Sequence, residues 1–180
     1  MIAKKDKLVI RDLMAEDKVL LHKWMNDERV LEWYEGRDKP FSLEMIDESF
    51  YASWEDEMRR VIIEFDNKPI GYGQIYRVCN ESYTEYEYED KNEIVYGMDQ
   101  FIGEPDYWCK GIGTDYIKLI FEHLINDKQA DAIITDPRVV NERAIRAYEK
   151  AGFIKLHIVK NHELHEGEYW DAWVMEYRAK

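Results

Sequence analysis

The sequence predicts an α/β protein with a mixed central sheet of about seven strands flanked by about four helices. Short β-rich runs alternate with segments of helical spacing, in the order strand, two helices, three strands, helix, strand, helix, two strands. No linker, repeat or low-complexity stretch divides the 180 residues, so one domain over 1–180 is expected, long enough to bury its own core. Hydrophobic residues make up 46% and charged residues 35%, a balance that excludes a disordered chain.

The elements follow in order. "KLVIRDL" (Lys7–Leu13) reads as the first strand. "AEDKVLLHKWMND" places Val19, Leu20, Lys23 and Trp24 at helical spacing, and "ERVLEWYEGRDKPF", with Gly36 and Pro40, reads as a helix end and loop. Ser42 is a candidate N-cap for a helix in "SLEMIDESFYASW". "RRVIIEF" and "IGYGQIYRV" flank an Asp-Asn turn and read as a hairpin. Cys79–Glu93, acidic and aromatic, reads as a long loop or irregular hairpin, and Glu93–Ile102 as a strand. Downstream of "CKGIG", Ile117, Ile120, Phe121 and Leu124 form one apolar helix face. "DAIITD" is a short buried strand. Asn141 can cap the helix "ERAIRAYEKA", which Gly152 ends in the expected C′ position. "FIKLHIVK" and "EYWDAWVMEYR" are the last two strands.

The net charge of −13 argues against nucleic acid and anionic membranes as partners and favours a cationic one, although acidity also occurs simply as a means to solubility. No apolar run approaches the roughly 20 residues of a membrane helix. The start, "MIAKKDKLVIRDL", lacks the apolar core of a signal peptide. Cys79 and Cys109 form neither a disulfide framework nor a CxxC pair, so a cytoplasmic, reducing location is expected. The sequence does not decide between a monomer and a weak dimer.

A glycine-rich turn that opens a helix presents free N–H groups and a positive dipole end, which bind phosphate. In "WCKGIGT" the order excludes the nucleotide-triphosphate loop, because Lys110 precedes Gly111 and no Gly-Lys-Ser/Thr occurs. The dinucleotide fingerprint fails too, since Tyr116 stands where its third glycine belongs. What remains is x-x-G-x-G, then a strand, then "NERAIRAYEKAGF" with Asn141, Ala144, Tyr148, Lys150, Gly152 and Phe153.

This order resembles the GNAT superfamily of N-acetyltransferases, whose Q/R-x-x-G-x-G/A loop holds the pyrophosphate of acetyl-CoA. Trp108 stands where that pattern prefers glutamine or arginine. Beyond the two motifs, "ERVLEWYEGRD", "PIGYGQIY", "EIVYGMDQFIGEPDYW", "TDP" and "HELHEG" resemble the aminoglycoside 6'-N-acetyltransferases, above all the acetyltransferase half of bifunctional acetyltransferase–phosphotransferase enzymes. The likeness covers most of the chain, and no kinase half is expected because the sequence ends at Lys180.

The resemblance implies a mostly antiparallel GNAT sheet, acetyl-CoA as co-substrate and a cationic aminoglycoside as acceptor. It places the donor at Cys109, Lys110, Gly111, Ile112, Gly113 and Thr114, with the pantetheine pairing near Phe101 and Ile102 and touching Asn141 and Ala144. Backbone N–H groups near Met98 to Gln100 are expected to polarise the thioester carbonyl.

Asp99 shares a strand face with Val95, Gly97 and Phe101. A carboxylate on an apolar face is either a buried, paired aspartate or a base that binds and deprotonates an ammonium, and the residues alone leave both open. The resemblance makes Asp99 the base, either directly or by positioning the amine and relaying its proton through water. Tyr148 shares a helix face with Ala144 and Ala151, which by itself reads as packing; the resemblance makes it the general acid toward the CoA sulfur. Asp136 precedes Pro137 at a strand end and is a turn aspartate or, by resemblance, a second ammonium site. The acceptor cleft is expected to draw on Tyr34, Tyr76, Tyr96, Asp99, Asp136 and Glu168, with Trp33, Glu81, Tyr83, Glu85 and Trp170 as further candidates.

His162 and His165 in "HELHEG" lie three apart, not four as in the zinc helix, and the segment reads as a loop, so no metal is expected. An acetyltransferase for a polyamine or a protein amine, and a non-catalytic CoA-binding module, are the competing readings. Asp99 and Tyr148 together argue against the second.

Overall fold

The computed structural model describes residues 1–52, 58–78, 86–87 and 92–179. The strands are β1 (Ala3–Lys5), β2 (Leu8–Asp12), β3 (Arg59–Phe65), β4 (Lys68–Arg77), β5 (Val95–Ile102), β6 (Ala132–Thr135), β7 (Ile154–His165) and β8 (Glu168–Arg178). The helices are α1 (Lys18–Trp24), α2 (Glu28–Leu31), α3 (Leu43–Ile46), α4 (Ile112–Lys128) and α5 (Glu142–Ala151). All eight strands form one sheet in the order β1-β2-β3-β4-β5-β6-β8-β7. Among the described residues only β5 and β6 run parallel; the other pairs are antiparallel.

Two elements exceed the sequence expectation. β1 folds back on β2 through a turn with Asp6 at φ 52°; its polar residues carry no apolar alternation, so pattern reading starts the strand only at Lys7. α2 is a single turn capped by Asp27, whose Oδ1 accepts from the Arg29 N–H at 3.0 Å, within the segment read as a helix end and loop. The other local signals are met. Asp66 and Asn67 both take positive φ (53° and 61°) and close Phe65 onto Lys68, the mirror-image turn that suits strand twist. Asn141 Oδ1 accepts from the Ala144 N–H at 3.2 Å, and Gly152 ends α5 at φ 110°.

"HELHEG" is not a loop. β7 runs on to His165 and turns at Glu166 and Gly167 (φ 53° and 81°) into Glu168. A register shift between Val159 and Glu163 kinks β7, with Asp171 accepting from Lys160 Nζ and the Asn161 N–H. Such a bulge re-aims side chains, and here it turns His162 and Glu163 inward.

Helices cover the sheet unequally. α4 and α5 pack on one face against Tyr96 and Met98 of β5, with Ile117, Ile120, Phe121 and Leu124 buried as their spacing predicts. On the other face α1–α3 cover Ile62, Tyr72 and Phe101, and a small cluster around Val78, Tyr86, Val95 and Val174 covers the far end. Asp99 lies on this face between the two clusters.

β5 and β6 pair only from Val95↔Ala132 to Gly97↔Ile134 and then part. The Val95 carbonyl accepts from the Val78 N–H, and the Gly103 N–H donates to Ile70 O. By alternation, the odd-numbered residues of β5 direct their backbone at β4, and Met98, Gln100 and Ile102 direct theirs at β6 and the gap beyond it.

Ser42 Oγ accepts from the Met45 N–H at 3.1 Å at the start of α3. Ser42→Ala is expected to lower unfolding free energy by about 1 kcal/mol in urea titrations, with the m-value unchanged.

Candidate active site

Two clefts meet at the β5–β6 gap. The first, about 570 Å³, is lined by the 109–114 turn, the start of α5, and Trp33, Tyr34 and Gln100. The second, about 360 Å³, is lined by Tyr34, Asp99, Gln100, Asp136, Tyr148 and Glu163 among others. Trp33, Tyr34, Gln100, Asn141 and Ala144 border both clefts.

The first cleft fits a phosphorylated ligand. Gly111 caps α4 in the left-handed region (φ 83°), so the first-turn N–H groups of Ile112, Gly113 and Thr114 have no intrahelical partners. A Cβ placed on Gly111 or Gly113 meets no atom within 4 Å, so the backbone here borders open space. Lys110, Arg143 and Lys150 line the same cleft, a gathering of cations in a chain of net charge −13. Cys109 stands exposed at φ 58° in the turn. Trp108 has its own function: its indole Nε1 donates to the Ile102 carbonyl at 2.7 Å, and its ring lies 4.1 Å from the Arg143 guanidinium, which also faces Trp33 at 5.5 Å.

The strand edge differs from expectation at two residues. Phe101 directs its backbone at β4 and lends the cleft its ring, 4.7 Å from Tyr34; the Ile102 carbonyl is held by Trp108. Of the even-numbered residues, Gln100 therefore carries the backbone groups best placed toward the gap, within the Met98–Gln100 stretch singled out from sequence.

The second cleft is acidic, with Glu35, Asp99, Asp136 and Glu163 in its wall. Asp99 is half-buried, and burial together with the nearby Asp136 pushes its carboxyl up to about 7, against hydrogen bonds from Gln74 and Tyr76 that favour the ionised form. Gln74 Nε2 donates to Asp99 Oδ2 at 2.8 Å. The Tyr76 ring lies over Gly97, its cross-strand partner on β5: a Cβ there meets the ring at 2.3 Å. Asp136 Oδ2 pairs with His162 Nε2 at 2.7 Å and accepts from the Tyr86 hydroxyl at 2.9 Å. Glu163 is raised by burial and partly offset by Arg138, whose Nε lies 3.6 Å away.

Tyr148 comes from α5, across the sheet from Asp99, and enters the second cleft through the gap. Its hydroxyl accepts from Gln100 Nε2 at 2.7 Å, which leaves its own proton to donate. Burial pushes it well above the ordinary tyrosine range, so it stays protonated at neutral pH.

The structure thus brings Tyr34, Asp99, Asp136 and Tyr148 together, with Tyr76 behind Asp99. Two expected residues lie elsewhere. Tyr96 faces the α4–α5 core, its ring 5.7 Å from the Arg77 guanidinium, because it is even-numbered on β5. Glu168 is exposed at the β7–β8 turn, and the bulge brings Glu163 inward instead. Trp170, its β8 neighbour, stands cross-strand from Glu163. Glu81, Tyr83, Glu85 and Cys79 lie outside the described residues. Sequence reading missed Glu35, Gln74 and Glu163. Strand alternation alone allowed Gln74 as a partner of Asp99, but its cross-strand register was needed to see it.

The chain matches the profile of the acetyltransferase (GNAT) domain over residues 13–161. It is 32% identical to an aminoglycoside N(6')-acetyltransferase type 1 of Klebsiella pneumoniae over 150 residues, 82% of this chain and 74% of that one. The fold superposes on aminoglycoside acetyltransferase AAC(6')-Ib in complex with coenzyme A and kanamycin with a TM-score of 0.79 at 27% identity, over 95% of this chain and 94% of that one. A spermidine N-acetyltransferase of Vibrio cholerae shares the fold, with a TM-score of 0.77 at 19% identity over 97% and 96% of the two chains.

Asp99 holds its proton in the folded state at pH values where the unfolded chain has released it. Its contribution to stability is therefore lost as pH rises from 3.8 toward about 7. Asp99→Asn is expected to be more stable than wild type at pH 8 and close to it at pH 4, measured as Tm across that range.

Proposed function

This chain belongs to the GNAT acetyltransferases, and from that premise we propose that it transfers the acetyl group of acetyl-CoA to the 6'-amino group of aminoglycoside antibiotics and so confers resistance to them. The observation that carries the reading is the junction of a phosphate-fitting cleft with a cleft walled by four carboxylates. An acceptor bearing several ammonium groups is matched by Asp99, Asp136, Glu163 and Glu35, while the rings of Trp33 and Tyr34 suit sugar faces.

In this proposal acetyl-CoA supplies the activated thioester. The N–H groups of Ile112, Gly113 and Thr114 hold its pyrophosphate, and Lys110 and Arg143 add positive charge beside them. The Gln100 N–H faces the gap, where it stabilises charge developing on the carbonyl oxygen. Asp99 binds the acceptor ammonium and takes its proton; a carboxyl poised near neutrality serves this better than a solvated aspartate. Tyr148 gives its proton to the departing sulfur. Attack is direct, and no cysteine carries the acyl group.

The chain is then akin to the acetyltransferase half of bifunctional acetyltransferase–phosphotransferase enzymes and works in the cytoplasm, where acetyl-CoA is at hand; among the described residues no helix is long and apolar enough to cross a membrane.

Thiol release from acetyl-CoA, followed with kanamycin, a 6'-hydroxyl analogue and spermidine, tests the reading. Turnover is expected with kanamycin and not with the other two. Turnover on spermidine alone assigns the acidic cleft to polyamines, and CoA binding without turnover on any amine makes the chain a binding module. Asp99→Asn and Tyr148→Phe are each expected to lower kcat by about 10²-fold or more while CoA affinity holds in calorimetry.

A further inference from the structure

We infer that Gln74, locked by Tyr72, is a positioning residue for Asp99, tying down one carboxylate oxygen so that the other is presented to the acceptor amine. The inference rests on the reading of Asp99 as the proton acceptor.

Gln74 and Asp99 are direct cross-strand partners on β4 and β5, and their side chains share the face between the two apolar clusters. Gln74 Nε2 donates to Asp99 Oδ2 at 2.8 Å. A glutamine amide has a donor end and an acceptor end, and nothing in its shape decides which end meets Asp99. Tyr72 decides it: its hydroxyl donates to Gln74 Oε1 at 3.2 Å, which turns the NH₂ toward the carboxylate. The chain Tyr72, Gln74, Asp99 therefore donates in one direction throughout and ends on the carboxylate.

The chain is anchored in the core. Tyr72 has no solvent exposure, and its ring contacts Phe50 at 5.0 Å and Phe101 at 5.6 Å between centroids. The packing of α1–α3 thus fixes the amide that fixes the base.

The other groups facing Asp99 among the described residues act in both directions. Asp136 and Glu163 favour its protonated form, and Tyr76 favours its ionised form. The Tyr34, Tyr116 and Tyr148 phenols around it stay protonated. Removing the Gln74 donor tips this balance toward the neutral acid, which cannot accept a proton. A residue that merely packed would lower activity at every pH alike.

The test measures kcat and kcat/KM for kanamycin acetylation from pH 5.5 to 9 in wild type, Gln74→Met, Tyr72→Phe and Asp99→Asn, with CoA affinity and Tm showing that each variant is folded. In Gln74→Met the acid limb of kcat/KM is expected to move up by about one pH unit, so that the loss is about tenfold at pH 6.5 and small at pH 8.5. Tyr72→Phe moves it the same way by less, and Asp99→Asn has no acid limb. An acid limb that persists in Asp99→Asn, or no turnover in wild type, overturns the inference together with the reading beneath it. If wild type and Asp99→Asn behave as expected and the limb stays in place in Gln74→Met and Tyr72→Phe, the inference alone fails.

Discussion

The parting of β5 and β6 after Gly97↔Ile134 is the constraint on which the site depends. An unbroken parallel pair would seal the sheet and use the Gln100 and Ile102 backbone groups in a ladder. The break exposes that edge, joins the two clefts, and lets Tyr148 from α5 meet Asp99 from the opposite face. β6 is only four residues long and is followed by Asp136 and Pro137, which cannot donate to a ladder. The helices that follow the two parted strands, α4 after the 103–111 connection and α5 after the 136–141 connection, place their first-turn residues in the lining of the first cleft, so both dipoles favour an anion there.

Charge is sorted on the two sides of this break. The chain carries an excess of 13 negative charges, yet Lys110, Arg143 and Lys150 border the first cleft. Arg143 lies in the first turn of α5, where a cation opposes the dipole, and it is held by the Trp108 and Trp33 rings and not by a carboxylate among the described residues. An anionic ligand relieves that opposition. On the other side, Asp99, Asp136, Glu163 and Glu35 crowd into a partly dry wall, and burial raises Asp99, Glu163 and Glu35 toward neutrality. Among the described residues His162 on Asp136 and Arg138 near Glu163 offset part of this crowding.

Much of the fold is legible in the sequence because its signals are local. The Asp66-Asn67 turn, the Ser42 and Asn141 caps, the Gly152 stop and the apolar stripe of α4 each depend on residues within a few positions of one another. The polar β1 strand and the single-turn α2 escaped notice because neither carries an apolar period long enough to read. The β7 bulge escaped because it is fixed by Asp171 on the neighbouring strand.

By itself the sequence determined the glycine turn before α4, the helix that carries Tyr148, and the presence of an aspartate on an apolar strand face, since each is a matter of order and spacing along the chain. Only the tertiary structure decided which residues meet. Strand parity sends Tyr96 into the core and Asp99 into the cleft, register sets Gln74 opposite Asp99, and a bulge substitutes Glu163 for Glu168. The physical reason is that a side chain's face follows from local geometry, whereas its partner follows from pairing between strands far apart in sequence, and a shift of one residue in that pairing exchanges every partner.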